Sequence, residues 1–442
     1  GYNMKDFNVA ILGCGTVGGG VARIIGDLQP TLSERASKKI NLKKIVDLNP
    51  KAAIERFGLS ARDFCGGGRD LTGEEATKYT KELIESEDID LIVETIGGSN
   101  DYVEKLAIDI CNSKKHLVTA NKALLAERGK PIFGAALKND VTIGYEAAVC
   151  GAIPIIKSIR ESFTGDSIIS VSGIMNGTSN YILSMMQNEG MAFDEALRLA
   201  QENGFAEADP SLDINGGDAG HKLVILLKLA FGVETSMDQL SIEGIENIRK
   251  EDIAFAEEIG CKIKLICYAK QVDGKIYATV CPMMVKNANF LSGVNGATNA
   301  VRLTNKYSGK HILLGAGAGS YETASSIVAD IIFAAKYGNT SQVSNSKNSL
   351  EFVDARHFEI PYIITFETVD EPGITGIVTT SIGNQEINID TVSHNRHMKD
   401  RAIFSIATTP CTLLQINKAI DEITESDPGL LLGIPKKMPI LY

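Results

Sequence analysis

The stretch "NVAILGCGTVGGGVARII" (8–25) constrains what this 442-residue chain can fold into more than any other. Its start reads as a buried strand, Gly13-Cys14-Gly15-Thr16-Val17-Gly18 as a tight turn, and the remainder as a helix. In a G-x-G-x-x-G turn the first glycine permits the bend and the second lets the backbone approach a pyrophosphate. The third lets helix and strand pack closely. Amides at the start of the helix then face the phosphates. The next apolar run, "INLKKIVDLNP" (40–50), delivers Asp47 to the end of a second strand, where a carboxylate can accept hydrogen bonds from an adenosine ribose. Such an acid favours NAD over NADP, but Lys51 offsets part of the repulsion of a 2′-phosphate, so both cofactors stay open. A turn or capping role is the competing reading of Asp47.

Two more short apolar runs follow, "IDLIVETIGG" (89–98) and "HLVTANKALLAERG" (116–129). Strands alternating with helices predict a parallel sheet with right-handed crossovers. The expectation is an α/β fold with a doubly wound, Rossmann-type dinucleotide-binding domain at 4–130. An α+β substrate-binding and dimerisation domain is expected over 131–314, including a strand pair joined by "QVDG". Residues 315–338 form a glycine turn and an apolar helix expected to pack back on the first domain. The polar stretch 339–350 reads as a linker. Beyond it, 351–442 scans as a ferredoxin-like βαββαβ module.

A net charge of -11 without a basic block argues against nucleic acid as a partner. No apolar run reaches the roughly 18 residues a membrane span requires. The eight cysteines are scattered, with no C-x-x-C, so they are expected to be reduced core thiols of a cytoplasmic protein, with no zinc site.

Three further features carry chemistry. Asn121-Lys122 follows the fourth strand, at the carboxyl end where ligands bind in such sheets, and a lysine there can face a nicotinamide and a substrate oxyanion. A solvated helix cap is the plainer alternative. "EADPSLDINGGDAGHKL" (207–223) crowds Glu207, Asp209, Asp213 and Asp218 against Lys222 at the mouth of an apolar helix. Asp218 is expected to N-cap that helix, with Lys222 one turn further on the same face. Burial and the helix start lower a lysine's pKa while neighbouring acids raise it, so Lys222 is suited to giving or taking a proton. A salt-bridged helix start is the competing reading. Finally, the Glu146 carboxylate with the carbonyls of Val149, Gly151 and Ile153 makes a low-charge oxygen set suited to a monovalent cation.

"GCGTVG", "ETIGG", "TANKALL", "EAAVCGAIP", "GIMNGTSNYIL", "EADPSLDINGGDAGHKL" and "GAGAG" occur in the order seen in homoserine dehydrogenases, and the chain resembles that family over residues 8–335. The resemblance implies reversible NAD(P)H-dependent reduction of L-aspartate 4-semialdehyde to L-homoserine, on the route to threonine, methionine and isoleucine. It implies Lys222 as proton donor and Lys122 beside the nicotinamide. Glu207, Asp218, Asp213, Gly177 and Thr178 would form the substrate pocket. Thr95 and Gly317 would touch the cofactor, and Glu146, Val149, Gly151 and Ile153 would form a sodium site. The tail motifs "DEPGITGIV" and "EINIDTV" resemble an ACT domain, an amino-acid-sensing module, with L-threonine as the default effector. Here "ATTPCT" (407–412) stands where many such tails carry a Thr-His pair, and a tail that only supports dimers is the alternative. A homodimer is expected, through the substrate domain's strands or the tail. A single-function enzyme is expected too, since no kinase-like segment precedes the first strand. Residues 55–79 match no feature of the family. The rival readings are a non-catalytic dinucleotide-binding amino-acid sensor and a dehydrogenase for another small amino-acid aldehyde.

Overall fold

A computed structural model describes residues 3–339, 350–393 and 396–442. The expected linker, 339–350, lies outside the described residues apart from its two ends. The chain divides into two compact units. One comprises residues 1–168, 221–237 and 298–349, and the other 169–220, 238–297 and 350–442. The division falls within one helix, Gly217–Phe231, between Gly220 and His221.

The first unit is built on five parallel strands, β1 (Asp6–Leu12), β2 (Lys39–Val46), β3 (Leu91–Glu94), β4 (His116–Thr119) and β5 (Ile143–Gly144), in the order β2-β1-β3-β4-β5. This is the doubly wound arrangement, and the order reverses between β1 and β3. Helices α1 (Thr16–Ala36), α2 (Lys51–Phe57), α3 (Gly73–Glu85), α4 (Asp101–Asn112) and α5 (Lys122–Lys138) follow successive strands. The central strands β1 and β3 are buried almost throughout because both faces are covered, whereas the edge strand β2 carries exposed Lys39, Lys43 and Lys44. The helix Ser320–Tyr337 lies along α1, and a Cβ on Gly20 of α1 would sit 3.0 Å from that of Ala324.

The segment 55–79 has a structural use. Phe64 is buried and forms a one-residue bridge to Ile45, Cys65 N–H donates to Ile45 O at 2.9 Å, and Gly66, Gly67 and Gly68 turn the chain with φ of +81°, +72° and +86°. It covers the edge of β2, which would otherwise present unpaired backbone groups.

In the second unit β6 (Ile168–Ile174) pairs with β8 (Cys261–Val272), and β8 pairs along its whole length with β9 (Lys275–Lys286) through the Asp273-Gly274 turn, both residues at positive φ. The far side of β9 is shared, all in parallel, by β7 (Ser241–Ile242), β12 (Glu351–Val353) and β17 (Lys436–Leu441). In the tail β17 pairs with β13 (Tyr362–Val369), which pairs with β16 (Arg401–Thr408). That strand in turn pairs with β14 (Ile389–Val392) and β15 (Arg396–Met398). With the helices Ile374–Asn384 and Leu413–Ser426 this is a βαββαβ unit in spatial order fourth-first-third-second. Its own core includes Ile364, Phe366, Phe404 and Ile406. A hairpin absent from the sequence expectation, β10 (Thr298–Asn305) with β11 (Gly309–Ala316), belongs to the first unit, and the run "LLGA" is the end of its second strand.

Candidate active site

The glycine turn sits at the switch point of the parallel sheet. Gly13 has φ +85°, and a Cβ there would lie 2.9 Å from the Thr95 backbone. A Cβ on Gly18 would lie 2.1 Å from Gly13 O and 2.8 Å from Thr95 Oγ1, so α1 can start this close to β1 and β3 only with glycine. Nothing lies within 4 Å of the Cβ direction at Gly15, which leaves that side open for a ligand to approach the backbone. Thr16 opens α1 with no side chain capping its amides, and Val17 follows. Thr95 Oγ1 donates to Gly13 O at 2.6 Å, tying the two loops together. Asp47 accepts from Cys14 N–H at 2.5 Å and from Asn49 N–H at 2.8 Å, so it locks the turn from below as well as ending β2. Burial, with Asp47 beside it, pushes the Cys14 thiol up to about 12, which leaves it inert. Arg56, which sequence reasoning missed, reaches Thr16 Oγ1 with Nη1 at 3.3 Å. Its signal was a basic residue late in the helix after Asp47.

The start of α5 is set by a buried relay. Glu94, 1% exposed, accepts from Ile96 and Gly97 N–H at 2.9 Å each and from Thr119 Oγ1 at 2.6 Å. Thr119 Oγ1 accepts from Asn121 N–H, and Asn121 both caps α5 through Leu124 N–H at 3.1 Å and donates to Gly98 O at 2.7 Å. Lys122 is therefore the first residue of a helix fixed to the loop after β3. The Asn121 cap expected as the plainer alternative is thus present.

In the helix Gly217–Phe231, Lys222 is buried, 6% exposed. Next to it, His221 is hydrogen-bonded through Nε2 to Glu127 Oε1 of α5 at 2.9 Å. Asp218 is the second residue of the helix, not its cap as expected, because the helix starts two residues earlier, just after the turn at Gly216 (φ +84°). The residue that organises the acids is Asn176, which sequence reasoning passed over in naming its neighbours. Its amide donates to Asp213 Oδ1 at 2.7 Å and to Asp218 Oδ2 at 2.8 Å, while its Oδ1 caps the helix Gly177–Glu189. A Cβ on Gly177 would strike Ala297 O at 2.7 Å, and Thr178 Oγ1 donates to Phe205 O at 2.5 Å. Glu207 is exposed on the loop that follows.

The turn holding Glu146, Val149, Gly151 and Ile153 is buried, with Cys150 and Gly151 at positive φ. The Glu146 carboxylate accepts from Ile156 N–H at 2.9 Å and Lys157 N–H at 3.0 Å, with the Lys157 ammonium 3.6 Å away. Lys157 also pairs with buried Asp330, whose Oδ2 accepts from Glu146 N–H. The Glu146 carboxylate is thus engaged by two main-chain amides and by the Lys157 ammonium. Burial still pushes the Glu146 carboxyl up, opposed by Lys157. Gly317 closes on the same turn, its carbonyl 2.7 Å from the Cβ position of Gly151, and a Cβ on Gly317 would collide with the Asn299 side chain at 2.0 Å. Asn299 is fully buried, and neither polar atom of its carboxamide has a hydrogen-bond partner.

Among the described residues no cluster of three His, Cys, Asp or Glu could hold a metal ion, all eight cysteines are buried thiols, and no helix is long and apolar enough to cross a membrane.

Two family models match the chain, homoserine dehydrogenase over 154–332 and the homoserine dehydrogenase NAD-binding domain over 13–146. The homoserine dehydrogenase of Neisseria gonorrhoeae is 37% identical over 397 residues, covering 88% of each chain. A crystal structure of a homoserine dehydrogenase from Thiobacillus denitrificans superposes with a TM-score of 0.87 at 32% identity, covering 99% of this chain and 98% of that one. A hyperthermophilic archaeal homoserine dehydrogenase in complex with NADPH has a TM-score of 0.62 at 27% identity over 74% of this chain and 97% of its own. The two family models cover most of the chain and a relative at 37% identity matches 88% of it, so the chain belongs to the homoserine dehydrogenase family of oxidoreductases.

Proposed function

We propose that this homoserine dehydrogenase divides its chemistry between Lys222, which holds and delivers the proton at the C4 oxygen of L-aspartate 4-semialdehyde, and Lys122, which faces the nicotinamide. The residues present suit the cofactor: an open Gly15, an uncapped start of α1, the Thr95–Gly13 clasp and, near Gly317, the unpartnered Asn299 carboxamide. NAD(P)H, when bound, supplies the hydride. A buried ammonium stabilises the oxygen as negative charge develops on it and then donates to it, whereas exposed to water it would be screened. Asp213 and Asp218, with Glu207, would take the substrate's ammonium group, and Gly177 and Thr178 would shape its pocket. The observation that carries this reading is the single Asn176 amide holding the carboxylates of Asp213 and Asp218, the latter one turn before buried Lys222.

Homoserine-dependent reduction of NAD and of NADP, followed by nicotinamide absorbance, tests it. Lys222→Ala is expected to lose at least 100-fold in kcat, the order of a general acid's contribution, while cofactor affinity holds. A mutant that turns over like wild type removes Lys222 from the mechanism. The alternative of a non-catalytic sensor draws no support from the relatives.

For the tail we infer an ACT-type sensor. Support comes from its strand order and from a cavity of ≈ 300 Å³ at 368–375, into whose lining Thr368 puts a buried hydroxyl with no partner. The threonines of "ATTPCT" are occupied otherwise: Thr408 accepts from Tyr362 N–H and Thr412 caps the last helix. L-Threonine is the effector to try, and kinetics unaltered by it would leave the tail a dimer support. A homodimer is supported by the outward-facing Ile312 and Leu314 of β11, and a monomer in light scattering would refute it. A sodium ion, if bound, would take main-chain carbonyls at 146–153, since the Glu146 carboxylate is committed to Lys157. Buried thiols suit the reducing cytoplasm.

A further inference from the structure

We infer that His221 and Glu127 are a positioning pair that registers the two catalytic lysines against each other. The inference rests on the roles proposed above for Lys122 and Lys222.

The helix that begins with Lys122 is not continuous. Arg128 has φ -133° and ψ 18°, so 122–127 is a short segment set off by a kink. Six helical residues span about 9 Å and have little helical stability of their own. The direction of such a segment is set by what grips its ends. At its start Asn121 grips Gly98 O and Leu124 N–H. Past its end Arg128 Nη1 bonds Asp101 at 2.7 Å and Glu104 at 2.6 Å, which fastens the kink to α4. Neither grip involves the helix that carries Lys222.

The bond from Glu127 Oε1 to His221 Nε2 does, at 2.9 Å. Glu127 is the last residue before the kink, and His221 is the immediate neighbour of Lys222. A ring held at one position fixes the rotation of a helix about its axis, and successive residues point about 100° apart. Anchoring His221 therefore fixes the direction in which Lys222 leaves the helix. Because the imidazole side chain is 8% exposed, the bond is shielded from water, while Glu127 at 43% leaves room for substitution. Lower down, Lys228 Nζ lies 4.7 Å from the ring centroid of Phe133 past the kink, so the two helices stay aligned beyond the pair. Proton and hydride must reach one carbonyl together, and tolerances for such constellations are about 0.5 Å.

The test is a double-mutant cycle in the full-length enzyme, with Glu127→Ala, His221→Ala, the double variant and Glu127→Gln beside Lys122→Ala and Lys222→Ala. Each alanine variant of the pair is expected to lower kcat by about 10- to 100-fold, with KM for homoserine and cofactor within about two-fold. The double variant should lose no more than the worse single one, and Glu127→Gln, which keeps an acceptor for His221, should recover most of the rate. Glu127→Ala, at a half-exposed site, carries the test even where His221→Ala does not fold. Unchanged kcat, losses that multiply in the double variant, or losses that appear in KM and thermal midpoint in place of kcat would each overturn the pairing. Normal turnover by Lys222→Ala would instead defeat the roles proposed for the lysines. Loss in the lysine variants with an unaffected Glu127→Ala would defeat the pair alone.

Discussion

Lys264, on β8, is 2% exposed, and its ammonium donates to Val294 O at 2.7 Å and Asn180 Oδ1 at 3.1 Å. No carboxylate is among these partners. Burial, with Lys262 adding repulsion, lowers its pKa from 10.5 to about 7. The folded chain therefore sheds this proton near pH 7, whereas the unfolded chain keeps it to pH 10.5. In that window the unfolded state binds more protons, so stability rises with pH and falls again as pH drops to the folded value. At about 1.4 kcal/mol per unit, the whole shift corresponds to about 5 kcal/mol, of which about 2 kcal/mol is gained between about pH 7 and pH 9. Lys264→Met removes the titration while keeping the bulk and an apolar stem. Asn180 Nδ2 already donates to Val294 O at 3.0 Å, so the carbonyl is not abandoned. Urea unfolding of wild type and variant at the two pH values reads the difference in slope, which cancels all other titrating groups. Wild type should gain about 2 kcal/mol relative to Lys264→Met on going to the higher pH. Curves that remain parallel to within about 0.5 kcal/mol would refute the argument that burial holds this lysine near neutrality.

Gly18→Ala puts a methyl 2.1 Å from Gly13 O, a backbone atom that cannot rotate away. It should cost about 1–3 kcal/mol in chemical denaturation and weaken dinucleotide binding in a fluorescence titration, because the glycine turn must move. Arg56→Ala removes a guanidinium from Thr16 at the start of α1. Being exposed, it should be worth only about 1 kcal/mol, or about five-fold in KM, and more for NADP than for NAD; equal effects on both would deny it a part in cofactor choice.

The parts of the fold read from sequence are those where local pattern and tertiary role coincide. The glycine turn could be read because Gly13 and Gly18 answer to sterics that no other residue satisfies, and β8–β9 because apolar alternation brackets an Asp-Gly turn. The β10–β11 hairpin was lost because its second strand carries glycines that resemble the turn leading into the following helix, and only pairing with β10 reveals it. Around the site, the charged residues of 207–223 drew notice through their density. Asn176 did not, since an asparagine before a helix looks like a cap, and its second bonds depend on acids 37 and 42 residues away. Glu127 and His221 carry no local signal at all, lying 94 residues apart. The partners of Glu146 were equally hidden: Lys157 comes from 11 residues on and Asp330 from 184 residues on.

The strand β9 ends up as a splint. Its free margin is bound in succession by β12 against Lys275–Tyr277, β7 against Thr279 and Val280, and β17 against Met284 and Val285. The tail thus begins and finishes on the same strand, at points about 30 Å apart along it. Clipping off residues 351–442 would strip the binding from both ends of the splint and bare an edge whose residues Met283, Met284 and Val285 are now buried. A shortened enzyme is therefore expected to precipitate or pair edge to edge before it reports anything about the loss of the tail itself. Point substitutions inside the tail, which leave both attachments in place, are the way to probe what it does.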